Sequence, residues 1–283
     1  MSTLQLPPQP ARRSSARSRE TTRDRRWRWW LLGVLAGLTA ISTAVAVICF
    51  SAMQLSERDH AETLLARVVR SLLEPDRYVT TSWEQLTQAA SVSEPIPLDG
   101  WPLDLALTPS ALEQGPQAVA DAITLTTART LYEHGFDILQ DEPQATQLFS
   151  QASAFSATIG RLTSGGHTVA TVALAVSVAF LVSLALAAAV QARGMGRLAA
   201  PGIAIGVGAA VLLLAAELAQ STFNARAAAS ADPFMVDIWL IVADATAVVS
   251  RNARIAALFG GALSVIALFG WIALVWLDER YRR

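Results

Sequence analysis

Four long apolar segments dominate the hydrophobic pattern of this 283-residue chain. The first runs from Trp29 to Met53 without a charged residue, and the others cover about residues 167–191, 199–220 and 255–277. At about 1.5 Å of helix per residue, each of them can cross a hydrocarbon core of about 30 Å. The pattern therefore predicts an all-α, polytopic membrane protein with a four-helix transmembrane bundle.

Residues 54–166, between the first two apolar segments, also follow a helical pattern. Leu65, Val68 and Leu72 recur at the spacing of one helix face. Because this stretch continues directly from the first span, we expect one helix to leave the membrane and to end at Glu74. The bundle helices should thus extend into a helical extracytoplasmic domain.

Further helices of this domain are predicted near residues 82–90, 116–134 and 143–162. The stretch 91–102 is rich in proline, which predicts irregular structure between the helices. No alternating pattern is long enough to indicate a sheet. The domain should therefore be held together by packed helices alone.

The predicted organisation follows from these patterns and has nine consecutive parts. They are a disordered, Arg-rich cytoplasmic tail (1–28), the first span (29–53), the helical extracytoplasmic domain (54–166), the second span (167–191), a cytoplasmic hairpin (192–198), the third span (199–220), an extracytoplasmic helical hairpin (221–254), the fourth span (255–277) and a cytoplasmic tail (278–283). The segment 221–254 is too polar for lipid, so we expect it to pack on the domain.

Charge asymmetry predicts the orientation. Eight arginines precede Leu31 and face only Glu20 and Asp24, whereas residues 57–165 hold fifteen carboxylates and six arginines. Basic segments stay in the cytoplasm, and an even number of spans returns both termini to that side. We therefore expect a multi-pass protein of the cell (plasma) membrane with cytoplasmic N- and C-termini.

The first apolar segment is longer than the core of a cleaved signal peptide, so it is expected to remain as a signal anchor. The arginine-rich tail is interpreted as a topology determinant; contact with anionic lipid is the next alternative, ahead of nucleic acid. The single cysteine, Cys49, allows no intramolecular disulfide. Packing must therefore stabilise the domain.

Four residues are possible functional groups within the membrane or at its surface. Glu57 and His60 have the spacing of one helix face, His167 opens the second span, and Glu217 ends an apolar run of the third. A carboxylate at membrane depth is a functional hypothesis because its burial is costly. Glu217 nevertheless lies close to the extracytoplasmic surface, where water can solvate it.

Small residues predict tight helix packing. Gly33 and Gly37 in the first span, and Gly202 and Gly206 in the third, are four residues apart, which allows the backbones of two helices to approach closely. The packing could occur within one chain or between copies. The expected partners are membrane lipid and either another protein or a second copy of the chain, with no specific nucleic acid.

The chain has no nucleophile motif, phosphate-binding loop or metal-ligand pattern, and no cofactor is expected. The favoured function is therefore non-enzymatic: the helical ectodomain would interact with, or sense, a partner subunit or envelope component. The alternative is a subunit of an oligomeric transporter or channel. A membrane enzyme would require Glu57, His60, His167, Glu217 and Arg226 to converge at one surface.

Overall fold

Helices account for nearly all of the described structure. The computed structural model describes residues 14–91, 95–135, 138, 162–192 and 194–281. In chain order the elements are α1 (Ser14–Leu55), α2 (Arg58–Leu73), α3 (Pro75–Ala90), β1 (Ile96–Pro97), β2 (Ala106–Leu107), α4 (Pro109–Glu113), α5 (Pro116–His134), α6 (Ser164–Gln191), α7 (Gly196–Ala229) and α8 (Pro233–Tyr281).

Four of these helices are long and apolar enough to cross a membrane, as predicted. The candidate spans are residues Trp29–Leu55 of α1, all of α6 and α7, and residues Phe234–Leu277 of α8. Helices α7 and α8 form a long antiparallel hairpin, and α1 packs against α6, α7 and α8. The spans therefore form one bundle in which α1 contacts every other member.

The first helix begins earlier than expected. Residues 1–28 were predicted to be disordered, but α1 starts at Ser14, while residues 1–13 lie outside the described part of the chain. Adding turns to an existing helix is far less costly than nucleating a new one. The apolar span supplies that nucleus, which explains why the polar residues before Trp29 continue the helix.

The prediction of one unbroken helix from the first span to Glu74 is wrong. Helix α1 ends at Leu55, and α2 begins at Arg58 after a break at Ser56 and Glu57. The extended backbone of Glu57 (φ −61°, ψ 138°) redirects the chain. The apolar face of α2 can therefore turn toward the core of the domain between the first two spans.

The last helix is longer than expected. Residues 221–254 and 255–277 were assigned to a separate hairpin and span, yet α8 is a single helix of 49 residues. Asp232 caps its start, since its carboxylate accepts a hydrogen bond of 3.0 Å from the Phe234 amide. One rigid element thus connects the core of the domain with the far side of the bundle.

The helical domain, defined here as residues 57–135, has a conventional hydrophobic core. Leu65, Val69, Ile123 and Leu131 are almost completely buried, and Ile241 of α8 belongs to the same cluster. Helix α5 covers residues 116–134, as predicted, and packs on α2 and α3. The predicted helix 143–162 falls almost wholly outside the described residues.

The proline-rich stretch after α3 is more ordered than expected. Ile96 of this stretch pairs with Leu107 in a short antiparallel ladder, β1–β2, and both residues are buried. Trp101 is buried as well and donates a hydrogen bond of 3.1 Å from Nε1 to Oγ1 of Thr127. Apolar side chains at alternate positions thus pack this segment against α5, although the segment itself is not helical.

Candidate functional site at the junction of the domain and the spans

Polar side chains join the helical domain to the spans. Asn252 of α8 is buried, and its Nδ2 donates hydrogen bonds to Oγ of Ser51 (3.0 Å) and Oε1 of Gln54 (2.8 Å) on α1. An unpaired amide at this depth would cost roughly 1–3 kcal/mol. These bonds hold α8 against the end of α1, directly below the break at Ser56.

His167, predicted as an interfacial group, lies in the same junction. Its Nδ1 is 3.3 Å from Oγ of Ser56, and the carbonyl of Ser56 accepts a hydrogen bond of 3.3 Å from the hydroxyl of Tyr132. The contacts therefore join α6, α1 and α5 at the break between α1 and α2. A displacement of α5 in the domain would therefore be transmitted through these contacts to the start of α6.

An ion network covers the side of α2 next to this junction. Glu62 accepts hydrogen bonds from Nε of Arg58 (2.7 Å) and Nε of Arg129 (3.2 Å), and Arg58 also reaches Glu133 (2.9 Å). Only 10% of the Glu62 side chain is exposed. The network therefore connects α2 with α5 through a nearly buried carboxylate.

The surroundings of Glu62 set its protonation state. Burial raises the pKa of this carboxyl, but the hydrogen bonds and charges of Arg58 and Arg129 outweigh it and hold the pKa below its usual value. The same hydrogen bond with Glu62 raises the pKa of Arg58. Glu62 and Arg58 therefore carry opposite charges near neutral pH, and their ion pair is intact under those conditions.

Glu217 has a structural partner. Its Oε1 accepts a hydrogen bond of 2.8 Å from Arg254 on the neighbouring helix α8. Arg226, nine residues further along α7, lies over the ring of Trp239, 5.0 Å from its centroid. The Glu217 carboxylate is thus half of an interhelical ion pair.

The four possible functional groups have different neighbours. His167 contacts Ser56 and Glu217 pairs with Arg254, whereas Glu57 precedes α2 and His60 faces a groove between α2 and α8. Among the described residues, no three His, Cys, Asp or Glu side chains are grouped to hold a metal ion.

The glycines predicted to pack helices have two different environments. A Cβ on Gly202 would lie 3.0 Å from Ser264 Oγ of α8, and Gly206 contacts Gly260 of α8 directly. A Cβ added at Gly33 or Gly37 would instead meet no atom from another part of the described chain within 4 Å. The α7 glycines are therefore buried in the α7–α8 contact, and those of α1 face outward.

Two cavities open beside the bundle. One, of about 320 Å³, is the groove that contains His60 at the membrane edge of the helical domain. The other, of about 520 Å³, lies near the opposite end of the α7–α8 hairpin, where Ile203, Leu268 and Trp271 give it an apolar wall. The second has a mostly apolar lining, whereas the first presents charged side chains.

Sequence reasoning missed Asn252 and the Glu62 network. Glu62 could have been found, because it occupies the same helix face as Leu65 and Val69 and lies four residues after Arg58. Asn252 carries no charge, so hydropathy alone does not mark it.

Comparisons of this chain with protein-family models, with curated proteins and with solved structures find no match.

Proposed function

We propose that this chain is a non-enzymatic membrane protein whose helical domain binds another protein or an envelope component. One observation supports this most strongly: the domain and the spans share a continuous element. Helix α8 contributes Ile241 to the domain core and then continues through the bundle to Tyr281. A mechanical force on the domain, or a ligand bound to it, would therefore act on the spans through α8.

The charge of the domain suggests the nature of the partner. Residues 57–135 hold twelve carboxylates and five arginines. Several of the arginines are engaged internally, for example Arg58 and Arg129 with Glu62, and Arg67 with Asp244. The surface is left with excess negative charge, which favours a partner with a basic surface.

The proposed setting is the cell membrane, with the domain outside the cytoplasm. The arginine-rich start of the chain supports this orientation through the positive-inside rule. Both chain termini would then be cytoplasmic, because the four spans return the chain to its starting side. The first span would act as an uncleaved signal anchor.

Site-specific photocrosslinking in living cells tests the binding function. A photoreactive amino acid would replace Leu125, which is 41% exposed on α5, and the matched control would replace Phe180, which is 55% exposed on α6. We expect a discrete protein adduct from position 125 and lipid adducts from position 180. If positions across the exposed faces of α3 and α5 give no protein adduct, the proposal is wrong.

Glu217 does not support the alternative function, which is that of a subunit of an oligomeric transporter or channel. Its carboxylate is paired with Arg254, and the buried hydroxyls of Thr39, Thr43 and Ser51 donate to carbonyls of their own helix. Vesicle flux measurements on the wild type and Glu217→Gln discriminate the two functions. Flux that Glu217→Gln abolishes would favour transport.

A further inference from the structure

The groove between α2 and α8 combines apolar and charged side chains. Leu55 and Val248 form part of its apolar surface, and Asp59, Arg67 and Asp244 supply charge. Arg67 and Asp244 face each other across it, with NH1 and Oδ2 2.9 Å apart. Its volume of about 320 Å³ lies at the lower end of the range for small-ligand sites.

The groove lies at the depth of lipid headgroups. Leu55 is the last residue of the first candidate span, and Asp59 lies in the first turn of α2, just after the break at Ser56 and Glu57. On α8, Arg254 is the last residue before the predicted fourth span. Val248 precedes it by six residues, or about 9 Å along the helix. The headgroup layer extends roughly 5–8 Å beyond the hydrocarbon core, so the membrane end of the groove opens within it.

The charges in the groove favour a zwitterion over an anion. Two carboxylates, Asp59 and Asp244, face one guanidinium, that of Arg67. Within the described residues the Asp59 side chain takes part in no ion pair, and Asp244 uses one oxygen on Arg67. The groove therefore offers carboxylate oxygens to a cation, and it keeps guanidinium N–H groups for a phosphate.

We propose that this groove binds the headgroup of an amine-bearing phospholipid, in which a phosphate diester is joined to a primary ammonium. The ammonium would donate to Asp59 and the free oxygen of Asp244, and the phosphate would accept from Arg67 and His60. Leu55 would contact the glycerol and the first methylenes, and Val248 would pack against the headgroup part of the ligand. This site depends neither on the side of the membrane that holds the domain nor on a protein partner.

Lipid binding by the full chain in a mild detergent tests the proposal by native mass spectrometry. Phosphatidylethanolamine and phosphatidylglycerol with identical acyl chains would be added at equal concentration. Free phosphoethanolamine forms a third arm, which separates a lipid ligand from a soluble one. The variants are Asp59→Asn, which removes one carboxylate, and Val248→Trp, which fills the groove, with Asp104→Asn as the matched control on an exposed loop.

We expect the ethanolamine lipid to bind about tenfold more tightly than the glycerol lipid, as one charge-assisted contact allows. Asp59→Asn and Val248→Trp should each weaken it about tenfold, and Asp104→Asn should have no effect. Equal binding of both lipids, or unchanged binding in both groove variants, would overturn the proposal. Binding of free phosphoethanolamine at the same concentration would overturn the choice of a lipid.

Discussion

The helical domain and the membrane bundle are stabilised in opposite ways. The domain buries large side chains such as Leu65, Ile123 and Trp101 and adds an ion network at its edge. In the bundle, large apolar side chains point outward, and the buried positions are mostly Ala, Gly, Ser and Thr. The hydrophobic effect drives the packing of the domain, whereas close contact between helix backbones is the main source of stability in the bundle.

The difference predicts which substitutions each region tolerates. Removing atoms should damage the domain, because a cavity forms where apolar volume was buried. Adding atoms should damage the bundle, because neighbouring backbones already touch at Gly206, Gly208 and Gly260. The following predictions test this contrast, from the largest expected effect to the smallest.

Gly260→Leu should be the most damaging change. A Cβ at Gly260 collides with the backbone of Gly206 and lies 2.8 Å from the carbonyl oxygen of Gly202. Neither helix can relax without separating, so we expect a loss of at least about 3 kcal/mol of bundle stability. The neighbouring Gly261 has open space, and Gly261→Leu is the matched control. Heating followed by size-exclusion chromatography in detergent measures both, and equal losses would refute backbone contact at Gly260.

Leu65→Ala should destabilise the domain by about 2–5 kcal/mol. Leu65 is completely buried at the centre of the core, so the deleted atoms leave a cavity. Limited proteolysis across a temperature series reports the unfolding of the domain while the spans remain folded. Leu125→Ala, at a half-exposed position of α5, serves as the control and should change stability by less than about 1 kcal/mol. Equal sensitivity of the two variants would contradict the assigned core.

Acidification should weaken the domain through Glu62. The folded-state pKa of this carboxyl is depressed, so its contribution is fully present above the unfolded value of 4.5 and is lost as the pH falls through the folded pKa. Glu62→Gln should cost about 1–2 kcal/mol at pH 7 and less below pH 4.5. Thermal melts at a series of pH values measure the difference between the two proteins. A difference that stays constant with pH would refute the depressed pKa.

Glu217→Gln should have the smallest effect. The ion pair with Arg254 is half-exposed, with 48% and 61% of the two side chains accessible, and such pairs contribute at most about 1 kcal/mol. Melting of the two proteins in detergent at low and high salt measures the contribution. A loss several times larger would mean that the pair is buried by lipid or by a second copy of the chain.

Much of this architecture could be predicted because it depends on simple patterns. The four spans follow from runs of apolar residues, and α5 follows from its proline start at Pro116 and its glycine stop at Gly135. The break at Ser56 could not be predicted, because helical propensity continues across it. Its cause is tertiary, since α2 must turn to bury Leu65.

The junction was the least predictable part of the candidate site. Glu217, His167 and His60 were recognised by their charge or ring, but their partners Arg254, Ser56 and the groove depend on how distant helices align. Asn252 meets α1 about 200 residues away in the chain. Hydropathy indicates how deep each residue lies in a membrane. It does not determine how each helix is rotated about its axis, and so it does not show which neighbours a side chain contacts.

The side of the membrane on which the domain lies tests the account most directly. In a Cys49→Ser background, Thr87→Cys on α3 and Glu279→Cys near the end of α8 place single thiols at opposite ends of the molecule. A membrane-impermeant maleimide is then applied to intact and permeabilised cells. We predict that the α3 thiol reacts in intact cells and that the α8 thiol reacts only after permeabilisation. Reaction of both thiols under the same condition, or in the reverse order, would contradict the proposed topology and an extracytoplasmic binding domain.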